Sequence, residues 1–313
     1  MKLSAIVIVA VAAALAASAA RAASPGRIAY LATGGDPPIP NEIFSINPDG
    51  SDATQLTDLD PSQGMWDHDA PAYSPDGTQI AYARNASCGH ELFVMSADGT
   101  NPRQLTSFGC GGWATMPAWS ADGSKLAFVA QVGPGILQLY TIGADGAGLR
   151  RLTNGDGYVW KPTWAPDGTR IAYTQMDVTG SIAQIAVINA DGTNPHLLTT
   201  DYDPNFWGNL MPSWSPDGAT IAFASDHPDG TRGIDLIAPD GSNRRRLPES
   251  VLYAESPVWS PDGRQIAFSG FDPSYSPDGN REIVVIDADG GNAHNITNTP
   301  DLDETAPTWQ PLP

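Results

Sequence analysis

The side chains best suited to binding or catalysis in this 313-residue chain fall in six short stretches, each standing just ahead of a proline. They hold Trp66, Asp67, His68 and Asp69; Trp113; Tyr158 and Trp160; Tyr202, Phe206 and Trp207; Tyr253 and Glu255; and Asp301, Asp303 and Glu304. Aromatic faces brought to one rim suit sugar surfaces, cationic groups or a peptide segment. Trp66, Trp113, Trp160, Trp207 and Tyr253 are the candidates. The competing account is that each ring covers a neighbouring element, because single exposed aromatics are ordinary. Asp67, Asp69, Glu255 and Glu304 offer the hard oxygens that Ca²⁺ takes. The chain lacks an Asp-x-Asp-x-Asp-Gly loop with a trailing Glu, so solvated carboxylates compete with that reading too. Acid–base work on a glycan would draw on Asp69 with His68 and Glu304. There is no Gly-x-Ser-x-Gly elbow, His-Glu-x-x-His helix or phosphate-cradling glycine loop, and the five histidines show no metal spacing. No catalytic residue, metal ligand or cofactor is therefore assigned, apart from the Ca²⁺ option.

What must position these residues is a repeat. The phrase Pro-x-aromatic-Ser-Pro-Asp-Gly recurs at 71–77, 117–123 (with Ala121 for the second Pro), 162–168 (with Ala165 for the Ser), 212–218 and 257–263, and a truncated copy, Pro-Thr-Trp-Gln-Pro, stands at 307–311. The period is about 45 to 50 residues, the length of a propeller blade. Its aromatic is Tyr73, Trp119, Trp164, Trp214, Trp259 and Trp309, and constancy of context assigns these rings to packing between blades. Ser-Pro-Asp-Gly is turn chemistry: Pro fixes φ, Asp bonds its own backbone and Gly takes the positive φ. An Ile-Ala-aromatic run follows, as at Ile171-Ala172-Tyr173, apolar on both faces like a strand buried on both sides. A second Asp-Gly turn and a Leu-Thr pair close each unit, except that Leu247-Pro248 breaks the pair.

Four short strands per unit and no helical periodicity predict an all-β fold: a six-bladed β-propeller of four-stranded antiparallel blades. Residues 24–30 match a blade that lacks its first strand, and 307–311 supply such a strand without the rest. The ends should pair, so that the C-terminal strand completes the N-terminal blade and hides both open edges.

The phrase resembles the TolB-type, WD40-like propeller repeat, over essentially all of residues 24–311. In that family the propeller of the periplasmic TolB protein follows an α/β domain and takes part in envelope complexes, and related propellers precede prolyl-oligopeptidase-type hydrolase domains. The resemblance implies a stand-alone propeller here, without the TolB N-terminal domain.

Residues 1–22 read as a secretory signal, with Lys2, an apolar run from Ala5 to Ala17 and an Ala20-Arg21-Ala22 cleavage site; residues 23–313 form the propeller. The chain is expected to be periplasmic or secreted, monomeric, and not an integral membrane protein once the signal is cleaved. A formal charge of −19 disfavours nucleic acid and anionic membrane surfaces. Cys88 and Cys110, the two cysteines, lie in loops that leave one blade on the same side and are expected to form a disulfide in an oxidising compartment. Together these features point to an exported, non-catalytic scaffold that recognises an envelope protein or glycan through its variable loop face. The alternative is a carbohydrate-active lyase or hydrolase with acidic and aromatic residues at the channel mouth.

Overall fold

The computed structural model describes residues 26–35, 39–58, 69–86, 89–132, 135–201, 208–248, 252–271, 279–299 and 301–311. Within them every regular element is a strand. The chain begins with β1 (Ile28–Gly34), β2 (Ile39–Ile46) and β3 (Thr54–Gln55). Full units follow: β4 (Asp69–Tyr73), β5 (Gln79–Ala86), β6 (Gly89–Ser96) and β7 (Arg103–Gln104); then β8 (Trp113–Trp119), β9 (Lys125–Gln131), β10 (Gln138–Gly143) and β11 (Arg150–Arg151). The fourth unit is β12 (Val159–Trp164), β13 (Arg170–Met176), β14 (Ala183–Asn189) and β15 (His196–Leu197). The fifth is β16 (Asn209–Trp214), β17 (Ile221–Asp226), β18 (Arg232–Ile237) and β19 (Arg245–Arg246). The sixth is β20 (Leu252–Trp259), β21 (Gln265–Phe271), β22 (Glu282–Asp287) and β23 (His294–Asn295), after which comes β24 (Leu302–Trp309).

Each unit is an antiparallel sheet, and β24 joins the first one in the order β24-β1-β2-β3. Ile28 lies opposite Trp309 and Gly34 opposite Leu302, the terminal pairing that the two half-repeats predict. The inner strands touch in a closed circuit, from β24 to β4, β8, β12, β16, β20 and back to β24. One parallel pair, His90 with Trp113, ties the second sheet to the third.

Alternate residues of the Ile-Ala-aromatic strands enter different cores. Leu126 and Phe128 pack toward the second unit, while Ala127 packs toward the fourth. All three are fully buried, which explains why these runs are apolar on both faces. The repeat aromatics clasp the preceding unit as well as filling space. The indole N–H of Trp119, Trp164 and Trp309 donates to the carbonyl of Ala72, Ala118 and Val258 respectively, each at 3.1 Å. Trp214 and Trp259 keep the place but not the bond: their Nε1 atoms are buried without a partner.

The turns behave as their chemistry dictates. Asp76 Oδ1 accepts from Ser74 Oγ at 2.6 Å and from the Thr78 N–H at 3.0 Å, and the arrangement recurs at Asp122. In the second turn, Gly99 has φ +86°, and a Cβ there would stand 2.3 Å from the Leu56 carbonyl oxygen of the preceding unit. Glycine is thus required twice over, by conformation and by proximity.

The Leu-Thr pair sits just past the outermost strand, and its threonine has a defined task. Thr106 Oγ1 accepts from the Leu92 N–H at 2.9 Å and donates to the buried Glu91 Oε2 at 2.6 Å. Thr297 does the same between Ile283 and Glu282, and Thr199 between Ile185 and Gln184. The fifth unit has Pro248 in place of the threonine and Gly233 in place of the acid or amide, so both partners are lost together. Arg244 takes over there, reaching Asp235 and Asp201 at 2.7 Å each and Asn209 at 2.9 Å.

Each inner strand is longer than the Pro-x-aromatic phrase and carries a bulge. The residue before the repeat proline has a left-handed backbone in all six units: Ala70, Met116, Lys161, Met211, Ser256 and Ala306, with φ between 45° and 57°. Such non-glycine conformations cost about 1–3 kcal/mol each and persist only where the surroundings hold them. A bulge lets a strand carry a proline, which cannot donate to a ladder, and pairing then resumes upstream. Pro71, Pro117, Pro162, Pro212, Pro257 and Pro307 line a central cavity of about 210 Å³.

Candidate functional site

The two kinds of Asp-Gly turn lie at one end of the strands, leaving the longer and less uniform connections at the other. The bulge changes where the candidate residues stand at that variable end. Trp113, Trp160, Tyr253, Glu255 and Glu304 belong to inner strands, not to loops, and Asp69 opens β4. Trp66, Asp67, His68, Trp207 and Cys88 lie outside the described residues, as do 272–278 of the connection carrying the extra Ser-Pro-Asp-Gly and the side chain of Asp69.

Trp113 is 45% exposed and stacks on the buried His90 ring, with centroids 4.4 Å apart and planes 16° from parallel. His90 Nδ1 lies 2.9 Å from the Ala114 carbonyl oxygen; a carbonyl only accepts, so the proton sits on Nδ1. The indole is therefore held by a fixed second ring. Beside it runs a groove of about 430 Å³ lined by Asn85, Gly112, Gln131 and Leu137. Cys110, adjacent to Gly111 of this groove, is not a free thiol.

Trp160 takes the competing role, packing against the cluster of Met176, Ala183, Leu210 and Ala224. Tyr253 is 53% exposed, with φ 55° in a second bulge of β20. It borders a groove of about 520 Å³ with Phe271, Asn280 and Arg281.

The two described candidate carboxylates, Glu255 and Glu304, have separate partners. Glu255 Oε1 pairs with Arg232 Nη1, and its Oε2 lies 3.3 Å from Arg281 Nη1. Arg232 also holds Asp226 at 2.7 Å, and Arg281 holds Asp303 at 2.5 Å. The result is a chain of alternating charge, Asp226–Arg232–Glu255–Arg281–Asp303, running across the fifth, sixth and first units. Burial works to raise the Asp303 carboxyl, and the Arg281 guanidinium overrides it, leaving the group below its ordinary value. Glu304 is a correction to the rim reading: it is fully buried, and its Oε1 accepts from Thr299 Oγ1. Strand alternation decides this, because Asp303 and Glu304 are neighbours on β24 and so point to opposite faces.

His90, Arg232 and Arg281 are contributors that residue-type reasoning missed. Both arginines sit at the start of a third strand, where charge pairing with the next unit is legible only once the ring is assembled. A further charged cluster joins Arg244, Asp235 and His227, whose Nε2 lies 3.3 Å from Asp235 Oδ1. Burial pulls the His227 imidazole below its ordinary value, against the opposing pull of Asp235. Among the described residues, no group of three or more His, Cys, Asp or Glu side chains is arranged to hold a metal ion, and no helix is long and apolar enough to cross a membrane.

Comparison with known proteins places this architecture. The family described as the TolB beta propeller domain matches residues 53–260. Among solved structures, TolB from Acinetobacter baumannii superposes with a TM-score of 0.75 at 21% identity, over 91% of this chain and 67% of that one. A TolB homolog of Chlorobium luteolum is 30% identical over 133 residues, 42% of this chain and 28% of the relative. An uncharacterized peptidase of Bacillus subtilis is 30% identical over 118 residues, 33% of this chain and 16% of the relative. The matches thus span less than a third of the length of either of these two relatives.

Proposed function

This chain belongs to the TolB beta propeller domain family, and from that premise we propose that it is an exported binding scaffold, presenting its variable face to a protein or glycan of the cell envelope. One observation carries the proposal: at that face Trp113 is both exposed and fixed, lying on the buried His90 beside an open groove. A ring held in one orientation loses little entropy when a partner covers it, the property that makes tryptophan a frequent anchor of interfaces. Tyr253 stands in a similar position beside the closing seam, in a groove it shares with Asp303. The acidic composition fits a partner that is neutral or basic. Glu255 is engaged by two arginines and Glu304 is buried, so of the acids named for the carbohydrate-active alternative Glu304 is not at the rim, while the side chain of Asp69 lies outside the described residues.

The test is affinity capture from envelope extract, followed by titration of the partner so identified. Truncating an anchoring aromatic costs about 2 kcal/mol or more, roughly a thirtyfold loss of affinity. Trp113→Ala is expected to lose at least that much while keeping the wild-type circular dichroism spectrum. Equal affinity of the variant and the wild type would remove the variable-face reading. Within the same proposal, residues 1–22 act as an export signal, and Cys110 pairs with Cys88, the second of the chain's two cysteines.

A further inference from the structure

Two carboxyl side chains meet in the interior of the seam that closes the ring. Glu282 on β22 is 2% exposed and Glu304 on β24 is 0% exposed. Glu282 Oε2 accepts from Thr297 Oγ1 at 2.8 Å and from the Thr299 N–H at 3.1 Å, and Glu304 Oε1 accepts from Thr299 Oγ1. The other two oxygens, Glu282 Oε1 and Glu304 Oε2, are buried without a donor, and one residue, Thr299, bridges the two carboxyl groups, its N–H serving Glu282 and its hydroxyl Glu304. Ionised carboxylates accept and cannot donate. Two such charges side by side in a dry interior repel each other, and each forfeits its hydration.

The same contact occurs elsewhere in the ring in neutral form. Gln184 precedes Ile185 as Glu282 precedes Ile283, and Asn209 stands three residues before Pro212 as Glu304 stands three before Pro307. There Gln184 Oε1 accepts from Thr199 Oγ1 at 2.5 Å and from Asn209 Nδ2 at 3.0 Å. The bond that spans the seam between the fourth and fifth units is therefore an amide N–H to a side-chain oxygen. At the closing seam the amide is replaced by an acid, and the donor is missing unless a proton supplies it.

We propose that Glu282 and Glu304 bind one proton between them, and that this shared proton adds a buried hydrogen bond between the last unit and the first. Ring closure is then linked to pH. The groups facing the pair do not supply a substitute charge. Tyr30 on β1 is neutral, its hydroxyl raised well above the ordinary value by burial and then by Glu304 and Glu282, with Arg27 opposing. Glu42 on β2, which shares the cross-strand row of Ala32 and Glu304, is bonded to Thr57. The Arg281 guanidinium, on the residue before Glu282, is held by Asp303 and Glu255.

Burial above all, with the neighbouring Glu282 adding to it and the hydroxyls of Thr297 and Thr299 opposing, pushes Glu304 from 4.5 up to about 8. A raised carboxyl binds its proton more tightly in the folded chain than in the unfolded one. Its contribution is complete below the unfolded value, declines as pH rises, and is gone above the folded value. Between these limits the folding constant falls about tenfold per pH unit.

The experiment compares urea unfolding of the wild type and Glu304→Gln from pH 5 to 9. The glutamine carries its own donor toward Glu282, as Asn209 does toward Gln184. The ratio of the wild-type folding constant to that of the variant is expected to fall about tenfold per pH unit up to about pH 8 and then level off. Taking the ratio cancels the histidines and every other group the two proteins share. Parallel profiles would overturn the proposal. Should Glu304→Gln fail to fold, Glu282→Gln supplies the donor from the opposite side and is read in the same way. Infrared spectra give an independent readout: a protonated-carboxyl carbonyl band in the folded wild type at neutral pH, lost in alkali and absent from the variant. No such band, or stabilisation of the wild type alone by added Ca²⁺ at pH 8, would show that no proton is shared.

Discussion

Replacing Thr106 by valine deletes one buried hydroxyl and almost nothing else, which makes it a clean measure of what the Leu-Thr pair contributes. Thr106 is 4% exposed; its Oγ1 accepts from the Leu92 N–H at 2.9 Å and donates to Glu91 Oε2 at 2.6 Å. Valine has the same shape, so no cavity opens. A hydrogen bond to an ionised group contributes about 1.5–3 kcal/mol, and a buried N–H left without a partner costs about 1–3 kcal/mol. Glu91 stays anchored, because its Oε1 still accepts from the backbone of Phe108 and Gly109 at 2.6 and 3.2 Å. The loss is thereby confined to the hydroxyl, and its sum is about 2.5–6 kcal/mol against a whole-domain stability of about 5–15 kcal/mol. Thr106→Ser keeps both bonds and gives up one methyl group, about 1 kcal/mol. Urea unfolding followed by circular dichroism should show the valine variant with a far lower midpoint and an unchanged slope, and the serine variant close to wild type. Equal midpoints for the two variants would refute the reasoning, since packing and not hydrogen bonding would then account for the threonine.

Two further outcomes are expected. Hydrogen bonds from hydroxyls and backbone amides hold the turn carboxyls of Asp122, Asp177 and Asp229 down to about 2, below their ordinary value in an unfolded chain. Their stabilisation is complete above that ordinary value and is lost as pH falls through the folded one. Unfolding midpoints should therefore drop between pH 4 and 2, less steeply for Asp122→Asn; identical slopes would exclude the turn carboxyls as the cause. Secreted protein denatured without reductant should show no thiol labelling at Cys88 or Cys110, and reduction should lower stability by roughly 3 kcal/mol for a loop of this length. Two labelled thiols would dismiss the pairing.

The fold was legible because its determinants are local and repeated. Ser-Pro-Asp-Gly or a one-residue variant of it specifies a corner in each full repeat, the Ile-Ala-aromatic run specifies a strand buried on both faces, and the half-repeats at 24–30 and 307–311 could only complete each other. The bulge before the proline was not legible. Ala70, Met116, Lys161, Met211, Ser256 and Ala306 are of four different residue types, none of them glycine, and their common backbone is imposed by the strands around them. Missing the bulge placed Trp113 and Glu255 in loops when they stand on strands. Glu304 looked like one more rim acid beside Asp301 and Asp303, and nothing in its own stretch announces the inward turn. The partners of Glu255 were hidden for another reason: Arg232 and Arg281 lie 23 and 26 residues away along the chain, and only the curvature of the ring makes them neighbours.

The pairing of Ile28 with Trp309 also sets an order of events. Until the last dozen residues exist, the opening sheet has no inner edge to lean on, and the earliest strands to be made are the last to find all their neighbours. A chain emerging residue by residue can accumulate complete units in its middle, yet it cannot lock. The loop that must close runs from Ile28 to Trp309, and its entropy is lost in one late step. A protein assembled this way stays threadable while it is being synthesised and becomes rigid only when the final strand arrives.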